Sequence, residues 1–257
     1  MVERFESRYA QSGAASRGGT AAEVDDGLRA YMLNIYNYMT GGVLLTGIMA
    51  MLVYRVEALQ VLFYNIVQTP AGPAIQGMTG LGWIVTFAPL GFVLVMSFGL
   101  NKLKASTAQM LFWAFAGVMG LSLSSIFFVY TGASIARTFF VSAAAFGALS
   151  LYGYTTKRDL SAFGKFLFMG LIGLLIAIVV NLFMQSTMMD FIISGAGVLI
   201  FAGLTAYDTQ RLKNLYYQVA GSGEMQAKAS VMGALSLYLD FINMFLFLLR
   251  FMGVSRQ

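Results

Sequence analysis

The sequence predicts an all-α integral membrane protein, a bundle of seven transmembrane helices with the last helix central. Composition points there first: 58% of the 257 residues are hydrophobic, 11% are charged, and the mean hydropathy is +0.74. A soluble domain of this length covers itself with about 25% charged residues. Patterning agrees, because the apolar residues fall in continuous runs, each near the ~20 residues that cross a hydrocarbon layer of about 30 Å. Continuous runs exclude open strands, whose backbone groups would go unpaired in lipid. Cysteine and histidine are both absent. That removes disulfides, thiolate chemistry and the usual zinc and haem ligands, and with them most redox and zinc enzymes.

Residues 1–29 mix arginines with Glu3, Glu6, Glu23, Asp25 and Asp26 around a run of small residues from Ser12 to Thr20. They read as a flexible cytoplasmic tail without the apolar core of a secretory signal. Residues 30–257 are the membrane domain, with spans near 31–54, 82–100, 108–130, 135–154, 163–184, 190–211 and 230–252. Pro89 predicts a kink in the second span, since it lacks the N–H of a helical bond. Small residues at Gly117 and Gly120, from Ala143 to Ala148, and at Gly195 and Gly197 predict close helix packing. Between the first two spans, Ala58–Val67 precedes Thr69-Pro-Ala-Gly-Pro73, the pattern of an interfacial helix ended by a turn. A pore plug is the alternative there.

Loop charges set the orientation. Lys102, Lys104, Lys157, Arg158, Lys165, Arg211, Lys213 and Lys228 all flank even-numbered connections, whereas the odd-numbered ones hold only Arg55 and Arg137. The positive-inside rule then puts the N-terminus in the cytoplasm and the C-terminus outside. Arg250 and Arg256 oppose this mildly, and a re-entrant last segment with six true spans would accommodate them. The net charge of +5 needs no nucleic acid to explain it, because topology already does.

Two aspartates interrupt the last two spans: Asp208 in Thr205-Ala-Tyr-Asp-Thr and Asp240 in Leu237-Tyr-Leu-Asp-Phe. A carboxylate near the centre of a spanning helix costs roughly 2.5–3.5 kcal/mol on insertion scales, so it marks a cavity, a partner or an ion path. On the seventh span Gly233, Ser236, Asp240, Asn243 and Arg250 recur at helical spacing and form one polar stripe on an apolar helix. Consecutive helices are usually neighbours, which brings Asp208 and Asp240 within reach of a hydrogen bond. Two carboxylates in one low-dielectric site do not both ionise cheaply and share a proton, giving a proton sensor without histidine. The structural alternative is also open: Asp208 pairs with Arg211 or Lys213, and Asp240 with Asn243 or Ser236, as interhelical glue.

The stretch Leu235–Phe251, together with Ala206–Lys213 and Phe146–Leu160, resembles the transmembrane Bax-inhibitor-motif family, and most closely its bacterial inner-membrane branch. The resemblance spans the hydrophobic region and leaves out the tail before Arg29. It implies a seven-helix bundle with the last helix central and a pH-sensitive calcium leak governed by a di-aspartyl pair, which falls on Asp208 and Asp240. In the family a basic group of the second helix latches the sixth-helix aspartate. Here the matching region, Phe98–Lys104, has no arginine, and Lys102 or Lys104 is the substitute. The connection around Gly221–Glu224 reads as long.

Three functions compete. In the first, the protein is a calcium or cation leak in the cell inner membrane, with Asp208 and Asp240 as pH sensor, gate and calcium ligands, supported by Ser236, Asn243, Arg211 and Lys213; carboxylates are hard oxygen ligands suited to calcium. No cofactor is needed, and the partners are the bilayer and the ion. In the second, which the resemblance implies because some relatives of that family are associated with restraining a membrane-anchored AAA protease or with cell-death control, the protein is a non-transporting regulator that restrains such a protease or another stress-response partner. The third, intramembrane aspartic proteolysis, is disfavoured because Asp240 lacks a Gly-Leu-Gly-Asp setting, so the expectation is that the protein is not an enzyme.

Overall fold

In the computed structural model, which describes residues 21–69, 72–99 and 103–256, each predicted apolar run is helical. The helices are α1 (Ala21–Arg55), α2 (Glu57–Phe63), α3 (Gly80–Gly99), α4 (Ala105–Leu123), α5 (Ile126–Val129), α6 (Gly132–Thr155), α7 (Ser161–Met184), α8 (Thr187–Val219) and α9 (Gly223–Met252). Six helical stretches are long and apolar enough to cross a membrane, and the stretch Gly80–Met96 within α3 is shorter. The chain is therefore an all-helical membrane protein apart from one hairpin. Its outer surface is that of a protein solvated by lipid: on α7, Leu182 is 72% exposed and Phe183 81%. In water, side chains of that size would each forgo about 1.5–3 kcal/mol of burial.

Three expectations need correcting. The tail does not run to residue 29, because α1 begins at Ala21, so residues 21–29 extend the first helix by more than two turns. Residues 1–20 lie outside the described ones. The segment 58–67 is helical only to Phe63, after which β1 (Tyr64–Thr69) pairs antiparallel with β2 (Gly72–Met78). The hairpin packs on the end of α1 and on α5 through a small core of Val53, Phe63, Tyr64 and Phe128. Lastly, the connection between α8 and α9 is only Ala220 to Ser222, with Gly221 at φ +84° making the turn. Both helices run beyond the apolar stretches that predicted them. Pro89 lies inside α3.

Serines break the third apolar run into α4 and α5. Ser124 is fully buried, donates back to the Leu121 carbonyl at 2.6 Å and bonds the Tyr64 hydroxyl at 2.8 Å, a local bond that competes with continuing the helix. Asn181 organises the turn from α7 to α8, its side chain accepting from the Ser186 amide at 3.0 Å and donating to Asp190 at 3.3 Å. Close packing uses part of the predicted glycine set. A side chain at Gly120 would strike the backbone of Thr46 on α1, and one at Gly197 the ring of Phe247 on α9. Gly117 and Gly147 meet open space instead.

The last helix is the most buried. In α9, 61% of the most apolar stretch lies inside the protein, against 11% in α7, and α9 packs on α8, α1, α6 and α4. Its Tyr238 ring sits edge-on to Phe112 and Phe115, and its hydroxyl bonds Thr46 at 2.6 Å.

Candidate functional site

The polar stripe of α9 faces α8. Gly233 meets Leu212, Ser236 meets Asp208, and Phe247 meets Gly197, so the two helices run antiparallel in a fixed register. In that register Asp240 stands level with Leu204. It is four residues, about 6 Å at 1.5 Å per residue, deeper than the Ser236 level of Asp208.

The two carboxylates have different surroundings. Asp208, 7% exposed, accepts a hydrogen bond from Ser236 and an ion pair from the Arg211 guanidinium at 3.3 Å, while Arg211 also donates to Ser236 Oγ at 3.1 Å. Three side chains thus close on one another. Asp240, 5% exposed, has its Oδ2 buried without a hydrogen-bond partner. An unpaired ionised carboxylate in such a place is costly, so Asp240 is the group in the seam that gains most from a proton or a cation.

The expected direct hydrogen bond between the two aspartates is not formed; a full turn of helix separates them, and Ser236 occupies the position facing Asp208. Asn243 spends its amide on the Leu239 carbonyl of its own helix at 2.8 Å. Lys213 turns away to α6, donating to the Tyr154 carbonyl at 2.8 Å and lying over the Tyr154 ring. The cation that pairs with Asp208 is Arg211, on the same helix. Lys104 stands at the N-cap position of α4 without a side-chain capping bond, and Lys102 lies outside the described residues. Among the described residues, no group of three or more His, Cys, Asp or Glu comes together as a metal cage. Two carboxylates and a serine fall short of the six to eight oxygens calcium takes when held tightly.

A cavity of about 560 Å³ opens between α8 and α9, lined by Arg211, Ser236, Gln210, Asn214, Gln218 and apolar neighbours. Arg211 and Ser236 stand between it and Asp208. At the far end of the same seam Arg250 pairs with Asp190 at 3.6 Å beside a second cavity of about 310 Å³. Asp190 and Asp208 are 18 residues apart on α8, about 27 Å, close to the thickness of the hydrocarbon layer.

A model of the family described as inhibitor of apoptosis-promoting Bax1 matches residues 28–257. The chain belongs to the Bax inhibitor family. Among its relatives, an uncharacterised protein of Rickettsia prowazekii is 49% identical over 91% of this chain and 93% of its own length. One from Caulobacter vibrioides is 46% identical over 98% of this chain and 99% of its own. The inner membrane protein YbhL of Escherichia coli K12 is 47% identical over 90% of this chain and 94% of its own. The family match covers all the membrane-spanning helices, including both aspartates.

Several buried polar groups are not legible in the sequence as sites. Tyr31 buries its hydroxyl without a partner. Tyr36, Ser150 and Thr209 form a chain across α1, α6 and α8, with bonds of 2.6 and 2.9 Å. Gln210 holds the turn between α6 and α7 from both sides, accepting from the Leu160 amide at 2.8 Å and donating to the Arg158 carbonyl at 2.7 Å. Each is a single polar residue in an apolar run, and spacing within one helix does not reveal a partner on another.

Proposed function

We propose that this protein is a pH-sensitive leak for calcium, or more broadly for cations, gated by Asp208 and Asp240 within a seven-span bundle whose last helix is central. The N-terminus is on the cytoplasmic side, which makes the Arg211 end of the seam the inner end. One observation carries the reading: a buried carboxylate oxygen of Asp240 without a partner, one turn behind a carboxylate closed by Arg211 and Ser236. A cation entering the 560 Å³ cavity meets Arg211, then Asp208, then Asp240, and leaves past Asp190 and Arg250. The resting state is shut twice, by an Arg–Asp pair at each end.

Protons and cations compete for the two inner carboxylates. Loss of the proton at Asp240 adds a second negative charge to the seam, draws in a cation and repels Asp208 from the lock. Flux therefore rises with pH. Calcium passes as cargo, for two carboxylates attract it without caging it. The basic residues at the α6–α7 turn support the orientation by the positive-inside rule. Arg250 and Arg256 cease to oppose it, since Arg250 is paired with Asp190 and Arg256 bonds Tyr54 and the Tyr130 carbonyl.

The test is calcium entry into liposomes carrying the purified chain, with Asp240→Asn beside wild type. A leak in the wild type that Asp240→Asn alters supports the reading. The absence of any leak would overturn it in favour of a non-transporting regulator.

A further inference from the structure

A separate cavity of about 580 Å³ opens toward lipid between α1 and α6. These two helices do not pack along their length; they are joined through the bond of Tyr36 to Ser150. The floor is formed by Phe146 and by Phe241 of α9, buried and edge to face at 5.7 Å. A side chain at Gly147, which lines the groove, would meet no atom within 4 Å. The walls offer hydrocarbon: the hydroxyls of Tyr36 and Ser150 are spent on each other and on Thr209.

Charge enters at one end only. Arg29 lines the mouth opposite Tyr154, immediately before the first apolar run and so at headgroup level. Among the described residues the ion pairs are those of Arg211, Lys228 and Arg250, which leaves the Arg29 guanidinium unclaimed, Asp25 and Asp26 one turn earlier included. From Arg29 to Val43 the groove runs 14 residues of α1, about 21 Å. That reaches past the midplane of a layer about 30 Å thick.

We infer that this groove is a binding site for one anionic phospholipid of the adjacent leaflet, with an acyl chain laid between α1 and α6 and the headgroup phosphate on Arg29. Basic pockets between membrane helices select anionic headgroups for the same reason, and a groove of about 580 Å³ lies in the range of ligand pockets, about 300–1,000 Å³, with room for one acyl chain and the rest of the lipid outside it. The bound chain lies against Phe241 of α9 and beside Ser150, whose hydroxyl bonds Thr209 of α8. This inference is independent of whether the protein conducts ions.

Delipidated full-length protein in detergent, titrated with phosphatidylglycerol or phosphatidylcholine and read by native mass spectrometry, tests it. The expected result is one retained phosphatidylglycerol per chain, preferred about fivefold over phosphatidylcholine, the effect of one basic group near an anionic surface. Arg29→Gln should abolish the preference. Gly147→Phe and Ala143→Phe, which fill the groove, should each abolish retention, while Gly173→Phe on the lipid face of α7 should not. Equal binding of the two lipids, or wild-type retention by a groove-filling variant that melts normally, would overturn the assignment. So would a protein dimer that those variants split, since the groove would then belong to a second copy.

Discussion

Arg211→Gln removes the cation paired with Asp208 in the α8–α9 seam. Its guanidinium lies 3.3 Å from Asp208, whose side chain is 10% exposed, but its own side chain is 50% exposed. Exposed pairs are worth about 0–1 kcal/mol and breaking a fully buried one costs about 3–5 kcal/mol. A pair with one buried and one half-exposed partner falls between, at about 1–2 kcal/mol. If the pair holds the seam shut, that energy converts to a shift of roughly 5- to 30-fold toward the open state, at about 1.4 kcal/mol per tenfold. Removing a positive charge from the entrance acts in the same direction for an incoming cation. The assay is initial calcium flux into liposomes at matched protein incorporation, with Arg211→Lys as the charge-preserving control. Flux in Arg211→Gln equal to or below wild type, in protein that melts normally, would refute the lock.

Other outcomes follow from the packing. Gln210→Ala loses both bonds to the α6–α7 turn and should lower unfolding stability in detergent by about 1–3 kcal/mol, at about 0.5–1.5 kcal/mol per bond; an unchanged melt would mean water replaces both. Gly153→Ala drives a methyl into the Ala206 backbone on α8 and should cost about 1–3 kcal/mol as overpacking, whereas Gly147→Ala in the open groove should melt like wild type. Asp159, in the α6–α7 turn, is held below the ordinary aspartate range by the Ser161 side chain first and by its backbone amide second. With the folded value depressed, its stabilising effect is present above the unfolded value near 3.9 and lost as pH falls through the folded one. Asp159→Asn should therefore leave any change in flux between pH 5 and 8 intact, and a flattened profile in that variant would move the sensor away from the seam.

Much of the fold is legible in the sequence because lipid imposes one rule on every spanning segment, and the apolar runs are accordingly helical, the third with a break at Ser124 and Ser125. The stripe from Gly233 to Arg250 also kept its meaning, since residues at helical spacing share a face whatever covers it. What covers it is a tertiary fact: the stripe meets α8, so Ser236 serves Asp208 rather than Asp240. Arg250 and Asp190 are 60 positions apart, and only the antiparallel register of α8 and α9 joins them. Lys213 was read as a partner of Asp208 from proximity in sequence, but five residues turn it to α6. The strands after Phe63 are not legible because Tyr64–Thr69, with Asn65, Gln68 and Thr69 among its apolar residues, shows no clean alternation, whereas Pro70 and Gly72 in the sequence predict a turn.

The most direct test of the central claim is calcium flux stepped from pH 5 to 8 in liposomes holding wild type, Asp208→Asn or Asp240→Asn. The account predicts a wild-type leak that rises with pH, a flat profile for Asp240→Asn, and an altered profile for Asp208→Asn. A leak whose pH dependence survives both substitutions, or no leak in any of the three, would contradict it.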